Sequence, residues 1–203
     1  MSYLAAHPWS VIALLLQHLL IVASGLALSV AIAVPLGILV NTLRVLELPI
    51  MLVTGLMYLV PSLALFAFLI PFTGLGTKTA IVAQVVYSLL VIVRNTFAGL
   101  SAVPNAIREA ATGNGLTAAQ RLWLVELPMA LPVIVGGVRV AAVMGVGIAS
   151  IAAYVGAGGL GTLVFRGIAT VDSDLILAGT LPIVALALSI DATLRFAESR
   201  LSA

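Results

Sequence analysis

The stretch REAATGNGLTAAQRLWLVELP, residues 108–128, carries Arg108, Glu109, Arg121 and Glu126 in a chain of which only 8% is charged. Carboxylate and guanidinium groups can orient one protein surface on another through charge-assisted hydrogen bonds. They do not make a metal centre or a nucleophile–base pair. The two histidines, His7 and His18, lie near the N-terminus, and the patterns HExxH and GxSxG are absent. An enzyme therefore lacks its reacting groups. Two further stretches imitate nucleotide sites. Gly156-Ala157-Gly158-Gly159-Leu160-Gly161 fits GxGxxG letter for letter, but that fingerprint works between a strand and a helix of a βαβ unit, and here an apolar helix precedes it. Thr73-Gly74-Leu75-Gly76-Thr77-Lys78-Thr79 lacks the adjacent Gly-Lys of a phosphate loop. ATP binding by that route is excluded, and an ATP-driven function needs a second polypeptide.

Composition sets the elements that must position these residues. The 203 residues are 63% hydrophobic, contain no cysteine and carry a net charge of +2, with a mean hydropathy of +1.28. Such a chain belongs in a lipid bilayer. Its apolar stretches approach the roughly 20 residues a helix needs to cross a hydrocarbon core of about 30 Å, and the alternating pattern of a membrane barrel is missing. The expectation is an all-α polytopic membrane protein, one transmembrane domain over residues 1–203. Five spans are expected, at about 17–40, 48–70, 78–98, 128–153 and 174–194, with Trp9 to Leu16 as an interfacial lead-in. Prolines 35, 61 and 182 should bend or break the helices that contain them. The pI near 9.4 comes from a small excess among few charges, and without a basic tract nucleic acid is not an expected partner. The N-terminal MSYLAAHPWSVIALLLQHLL has no positive n-region and reads as part of the mature chain.

Loops rich in lysine and arginine stay on the cytoplasmic side. With the N-terminus outside, Arg44, Arg94, Arg108, Arg121, Arg195 and Arg200 collect inside, against Lys78 and Arg166 outside, while Arg139 falls within the fourth span. The C-terminus and residues 108–128 are then cytoplasmic. Four charges would oppose membrane insertion of that stretch by on the order of 10 kcal/mol. It is patterned for two short helices instead. Pro104 suits the first turn of one running through IREAAT, and Gly113-Asn114-Gly115 stops it. Thr117 and Gln120 have capping-box spacing for a second, which runs toward Leu127 and ends as Pro128 opens the next span.

Glu109-Ala110-Ala111, three residues, Gly115, nine residues, Val125, one residue, Leu127-Pro128 resembles the EAA motif of permease subunits of ABC importers, with Val125 for isoleucine the only departure. LVPSLALFAFLIPFTGLG (59–76), VRNTFAGL (93–100) and YVGAGGLGTLVFRGIA (154–169) resemble the osmoprotectant subgroup, which imports glycine betaine, choline, carnitine or related quaternary ammonium solutes. The resemblance implies a type I ABC importer permease fold in a bacterial or archaeal plasma membrane. It also implies that the segment of about 101–128 docks on a cytoplasmic ABC ATPase dimer. Glu109, Ala110, Ala111, Gly115, Leu127 and Pro128 would be its coupling residues: small side chains for close approach, a carboxylate for orientation. ATP and magnesium would be bound by that partner, so this chain needs no cofactor. A second permease copy, identical or related, and an extracytoplasmic substrate-binding protein complete the implied assembly.

Residues for the solute route are less sharply marked. Tyr58, Tyr87 and Tyr154 could offer cation–π contacts to a quaternary ammonium group, although tyrosines in spans also serve packing. Pro61 and the glycines Gly156, Gly158 and Gly159 are candidates for the path or an outer gate, the glycines within a flexible or re-entrant segment between spans four and five. Gly137, Ala141, Gly145, Ala149 and Ala153 give span four a small face, suited to packing within one subunit or to a dimer seam. Arg139 is expected to snorkel or to bond carbonyls, and Asp191 to pair with Arg195 one turn away. Two alternatives stand beside the osmoprotectant reading: a permease for another small solute such as an amino acid, and an ion-coupled secondary transporter. The second would need coupling acids near the midplane, and Asp191, the one candidate, lies toward one end.

Overall fold

The computed structural model describes residues 2–201, all of whose regular elements are helical. A short α1 (Ser2–Ala6) leads into α2 (Pro8–Thr42), which is followed by α3 (Glu47–Leu59), α4 (Ser62–Thr73) and α5 (Thr77–Ser101). The polar stretch forms α6 (Asn105–Gly113) and α7 (Ala118–Arg121); α8 (Leu127–Ala152), α9 (Gly161–Thr170) and α10 (Ser173–Leu201) complete the chain. Four helical stretches are long and apolar enough to cross a membrane, and α3 with α4 makes a fifth if the bent pair is one span.

The central element is α5, the most buried of the spans, packed between α2 and α8; α10 lies against α8 and α9, and α3 and α4 lie against α5. Close approach at the centre follows from small residues. A Cβ on Gly25 of α2 or Gly145 of α8 would come within 2.5 Å of the Gln84 side chain on α5, and one on Gly137 within 2.4 Å of Asn95. Gln84 is fully buried between the two glycines, and its Nε2 donates to the Val22 carbonyl at 3.0 Å. The small face of α8 thus packs α8 onto α5 within the subunit.

Two expectations are corrected, and the one that prolines 35, 61 and 182 bend or break their helices is met as a break at Pro61. Trp9 to Leu16 is not a separate lead-in, because α2 runs unbroken from Pro8 to Thr42. At about 1.5 Å per residue its 35 residues outreach the bilayer core. Pro35 and Pro182 lie inside continuous helices, whereas Pro61 does break its segment: α3 and α4 meet at 102°. The backbone shows where the break falls. Val60, before the proline, is extended (ψ 128°), and Pro61 is too (ψ 136°), so two consecutive residues leave the helix. The Tyr87 hydroxyl then donates to the Val60 carbonyl that the break frees.

The second helix of the polar stretch, too, departs from expectation: it does not end at Leu127. Residues Ala118–Val155 form one continuous helix, with a π-helical turn over Leu122–Glu126 just before Pro128. Proline lacks an N–H, and its ring collides with the carbonyl four residues back. Widening the preceding turn, so that the Leu127 amide reaches the Leu122 carbonyl, gives the ring room without stopping the helix.

Candidate functional site

Residues 101–128 fold as a hairpin whose turn follows from its sequence. Pro104, extended at ψ 138°, is the N-cap of α6. Gly115 adopts φ +84°, which a side chain would disfavour, and the Asn114 side chain caps the Ala110 carbonyl at 2.9 Å. The capping box is present: Thr117 Oγ1 accepts from the Gln120 amide at 3.3 Å, while Gln120 Oε1 accepts from the Thr117 amide at 2.9 Å.

Three of the four charges that mark the stretch brace it internally. Glu126 is buried at 4% exposure. Arg121 Nε donates to its Oε1 at 2.7 Å, and Arg108 Nε lies 3.9 Å from the same oxygen. Arg121 also donates to Thr112 Oγ1 at 3.0 Å and Arg108 to the Leu100 carbonyl, tying the hairpin to itself and to the end of α5. Glu109 is different: it is exposed and has no ion-pair partner among the described residues. Ala110, Gly115 and Pro128 are exposed with it, whereas Ala111 and Leu127 are buried within the chain, where they shape the hairpin rather than its outer surface. The brace was not anticipated from the sequence. Its signal is the five-residue spacing of Arg121 and Glu126, which pairs side chains only around a π-turn.

The solute-route candidates separate into two places. Tyr58 and Tyr87 meet edge to face, ring centroids 6.2 Å apart at 77°, and with Val60 they line a cavity of about 400 Å³ beside the break at Pro61. Tyr154 stands elsewhere, exposed and tilted against Phe165 at 5.5 Å. Gly156, Gly158 and Gly159 all have positive φ, near +75° to +80°, in the loop between α8 and α9. That loop is held against α2: Gln17 Nε2 donates to the Ala157 carbonyl at 3.3 Å, and Gln17 Oε1 accepts from the Gly159 amide at 3.1 Å. A Cβ on Gly158 would strike Gln17, and one on Gly159 would press on His18. His18, fully buried, places Nε2 3.2 Å from the Val146 carbonyl. Gln17 and His18 therefore explain two of the three glycines.

Arg139 pairs with carboxylates rather than with the expected carbonyls. Its guanidinium lies 3.6 Å from Asp191 and 3.4 Å from Glu198, both on α10. Asp191 also pairs with Arg195 at 2.8 Å, the expected contact. A Cβ on Gly136 would come within 3.2 Å of Glu198, so that glycine lets the carboxylate lie along α8. This cluster balances two cations with two anions, which lowers the cost of charge in a span.

A polar hairpin joined to a bundle of membrane-length helices has counterparts among known proteins. An osmoprotectant import permease protein, OsmW of Salmonella typhimurium, is 46% identical over 180 residues, covering 86% of this chain and 84% of that one. A carnitine transport permease protein, OpuCB of Listeria monocytogenes, is 42% identical over 186 residues, covering 92% and 85%. A choline transport system permease protein, OpuBB of Bacillus subtilis, is 38% identical, covering 92% and 86%. Among solved structures, a chain of the MetNI methionine ABC transporter in inward-facing conformations superposes with a TM-score of 0.85 at 22% identity, covering 97% of this chain and 98% of that one. A chain of an amino acid ABC transporter gives 0.78 at 17% identity, covering 98% and 99%. At these identities the two structures establish the fold alone. Residues 25–203 match the family model for the inner membrane component of binding-protein-dependent transport systems, and the chain belongs to that family.

Proposed function

We propose that this chain is the permease subunit of an ATP-driven importer for quaternary ammonium osmoprotectants such as glycine betaine, choline and carnitine. The observation that carries the substrate class is the agreement of relatives 38–46% identical over most of their length, named for osmoprotectant, carnitine and choline transport. In this reading the N-terminus is outside and the C-terminus cytoplasmic. A separate ABC ATPase dimer binds ATP and magnesium and grips the hairpin of residues 101–128 through the exposed Glu109, Ala110 and Gly115. Ala111 and Leu127 keep the hairpin in shape from inside. An extracytoplasmic binding protein delivers solute, and two permease copies, identical or related, enclose the route and alternate between outward-facing and inward-facing states. The exposed carboxylate of Glu109 and the internal brace beneath it support the docking role, because a handle must be stiff as well as accessible.

The test is reconstitution of the chain with its ATPase and binding protein in liposomes, followed by ATP hydrolysis and uptake against a panel of osmolytes and amino acids. Stimulation by a quaternary ammonium solute is expected; stimulation by amino acids alone refutes the substrate class.

A further inference from the structure

The break at Pro61 opens a cavity of about 400 Å³ between the end of α3, the start of α4, the middle of α5 and α8, at the small end of ligand-pocket sizes. Tyr87 is the eleventh residue of α5, roughly 15 Å along it and so about half way through a hydrocarbon core. The wall holds the two tyrosine rings, the Ser62 hydroxyl, the thioether of Met144 and the side chains of Ile148 and Ile151, and no acidic or basic residue lines it. Tyr58 is 37% exposed whereas Tyr87 is 7% exposed and packed in the core, so the ring surface open to the cavity belongs chiefly to Tyr58, which Tyr87 holds in an edge-to-face contact. The Tyr87 hydroxyl is engaged by the Val60 carbonyl, which fixes that ring. The bend brings the carbonyl end of α3 and the amide end of α4 to the same wall, so their dipoles oppose, and selection for a cation falls on the aromatic faces.

Gly147 supplies an independent observation. On the same helix, Gly137 and Gly145 are explained by packing, since a Cβ there would strike Asn95 or Gln84. A Cβ on Gly147 would meet nothing within 4 Å, and Gly147 lines this cavity. Glycine is poorly suited to a helix interior; here its absent side chain leaves volume open rather than bringing helices together.

We infer that the Tyr58–Tyr87 cavity is a transit site that holds the methylated ammonium head of the solute against the tyrosine faces, with Gly147 keeping it open, an inference that rests on the substrate class proposed above. The chemistry is selective. A quaternary ammonium has no N–H to donate and is attracted by ring faces. A primary ammonium, as in an amino acid, brings three donors that need acceptors, and the acceptors in this wall are few: the hydroxyls of Ser62 and Tyr58 and the Val60 carbonyl, which already accepts from Tyr87. An uncharged aromatic wall also holds a cation loosely enough to release it, which a carboxylate at this depth would not.

The experiment uses the complete transporter in liposomes, reading choline or glycine betaine uptake beside solute-stimulated ATP hydrolysis. Tyr58→Phe, which keeps the ring, should stay within about twofold of the parent, while Tyr58→Leu should lower uptake per ATP by about tenfold. Gly147→Leu, which fills the space, should do likewise. Parent-like uptake by both leucine variants overturns the site and leaves the substrate class standing; a parent that moves no quaternary ammonium solute overturns both. A second arm needs no turnover. The chain has no cysteine, so Gly147→Cys offers one thiol on it, and its labelling by a trimethylammonium thiosulfonate is compared with a neutral thiosulfonate of similar size. The ratio should fall about fivefold when Tyr58 is also changed to Leu; an unchanged ratio overturns the inference.

Discussion

Arg121 Nε and Glu126 Oε1 are 2.7 Å apart although the residues are five positions apart on one helical stretch. In an α-helix that spacing points side chains about 140° apart; the π-turn over Leu122–Glu126 swings them together. One wide turn therefore accommodates Pro128 and forms the ion pair that braces the hairpin. Arg121→Ala leaves a carboxylate of 4% exposure with only the more distant Arg108. The expected loss is about 1–3 kcal/mol, less than for a fully buried pair because Arg121 is 30% exposed. It should appear as a lower Tm of the purified protein in detergent, with Arg121→Lys recovering part of it.

Glu109 is exposed and outside that brace, so Glu109→Lys should leave stability unchanged within about 0.5 kcal/mol while abolishing co-purification with the ATPase and solute uptake. A variant that binds the ATPase and transports normally removes the docking role.

The hairpin's placement can be read directly. Asn114 lies at its exposed tip, and Asn114→Cys introduces the chain's one thiol. A membrane-impermeant maleimide should label it in inside-out vesicles and not in intact cells. Labelling of intact cells would reverse the orientation and end the coupling account.

Gly145 and Gly147 should respond oppositely to an added side chain. Gly145→Leu drives into Gln84 and should cost about 1–3 kcal/mol by overpacking, relieved in part when Gln84 is also changed to Ala. Gly147→Ala meets open space and should leave stability unchanged or raise it by up to about 1 kcal/mol, through helix propensity. Thermal unfolding of the three variants separates the two roles.

Tyr87→Phe removes the hydroxyl that donates to the Val60 carbonyl at the helix break. A hydrogen bond between membrane helices is worth about 0.6 kcal/mol on average. The variant should therefore lose only a degree or two in Tm, with faster hydrogen exchange confined to residues flanking Pro61.

How far the sequence reveals this molecule differs from residue to residue. Thr117 and Gln120 show their capping box plainly, because the signal is local and lies within four positions. Pro61 breaks its helix and Pro35 does not, although both sit in apolar runs; the outcome depends on partners such as Tyr87, which bonds Val60 from 27 positions away. Arg139 reads as a lone charge until α10 brings Asp191 and Glu198 beside it. The same holds for Gln17, which clasps a loop 140 residues downstream. Periodicity and caps disclose what a segment does alone; which segments meet is decided by packing around Gln84 and its two flanking glycines.

The unbroken helix from Ala118 to Val155 works as a connecting rod. Its 38 residues extend about 57 Å, so a 5° tilt at one end sweeps the other by about 5 Å. Because the helix carries on through its π-turn without a break, a displacement imposed near Thr117 would reach Tyr154 and the clasped glycine loop as one movement, so the two ends of the rod cannot be repositioned independently.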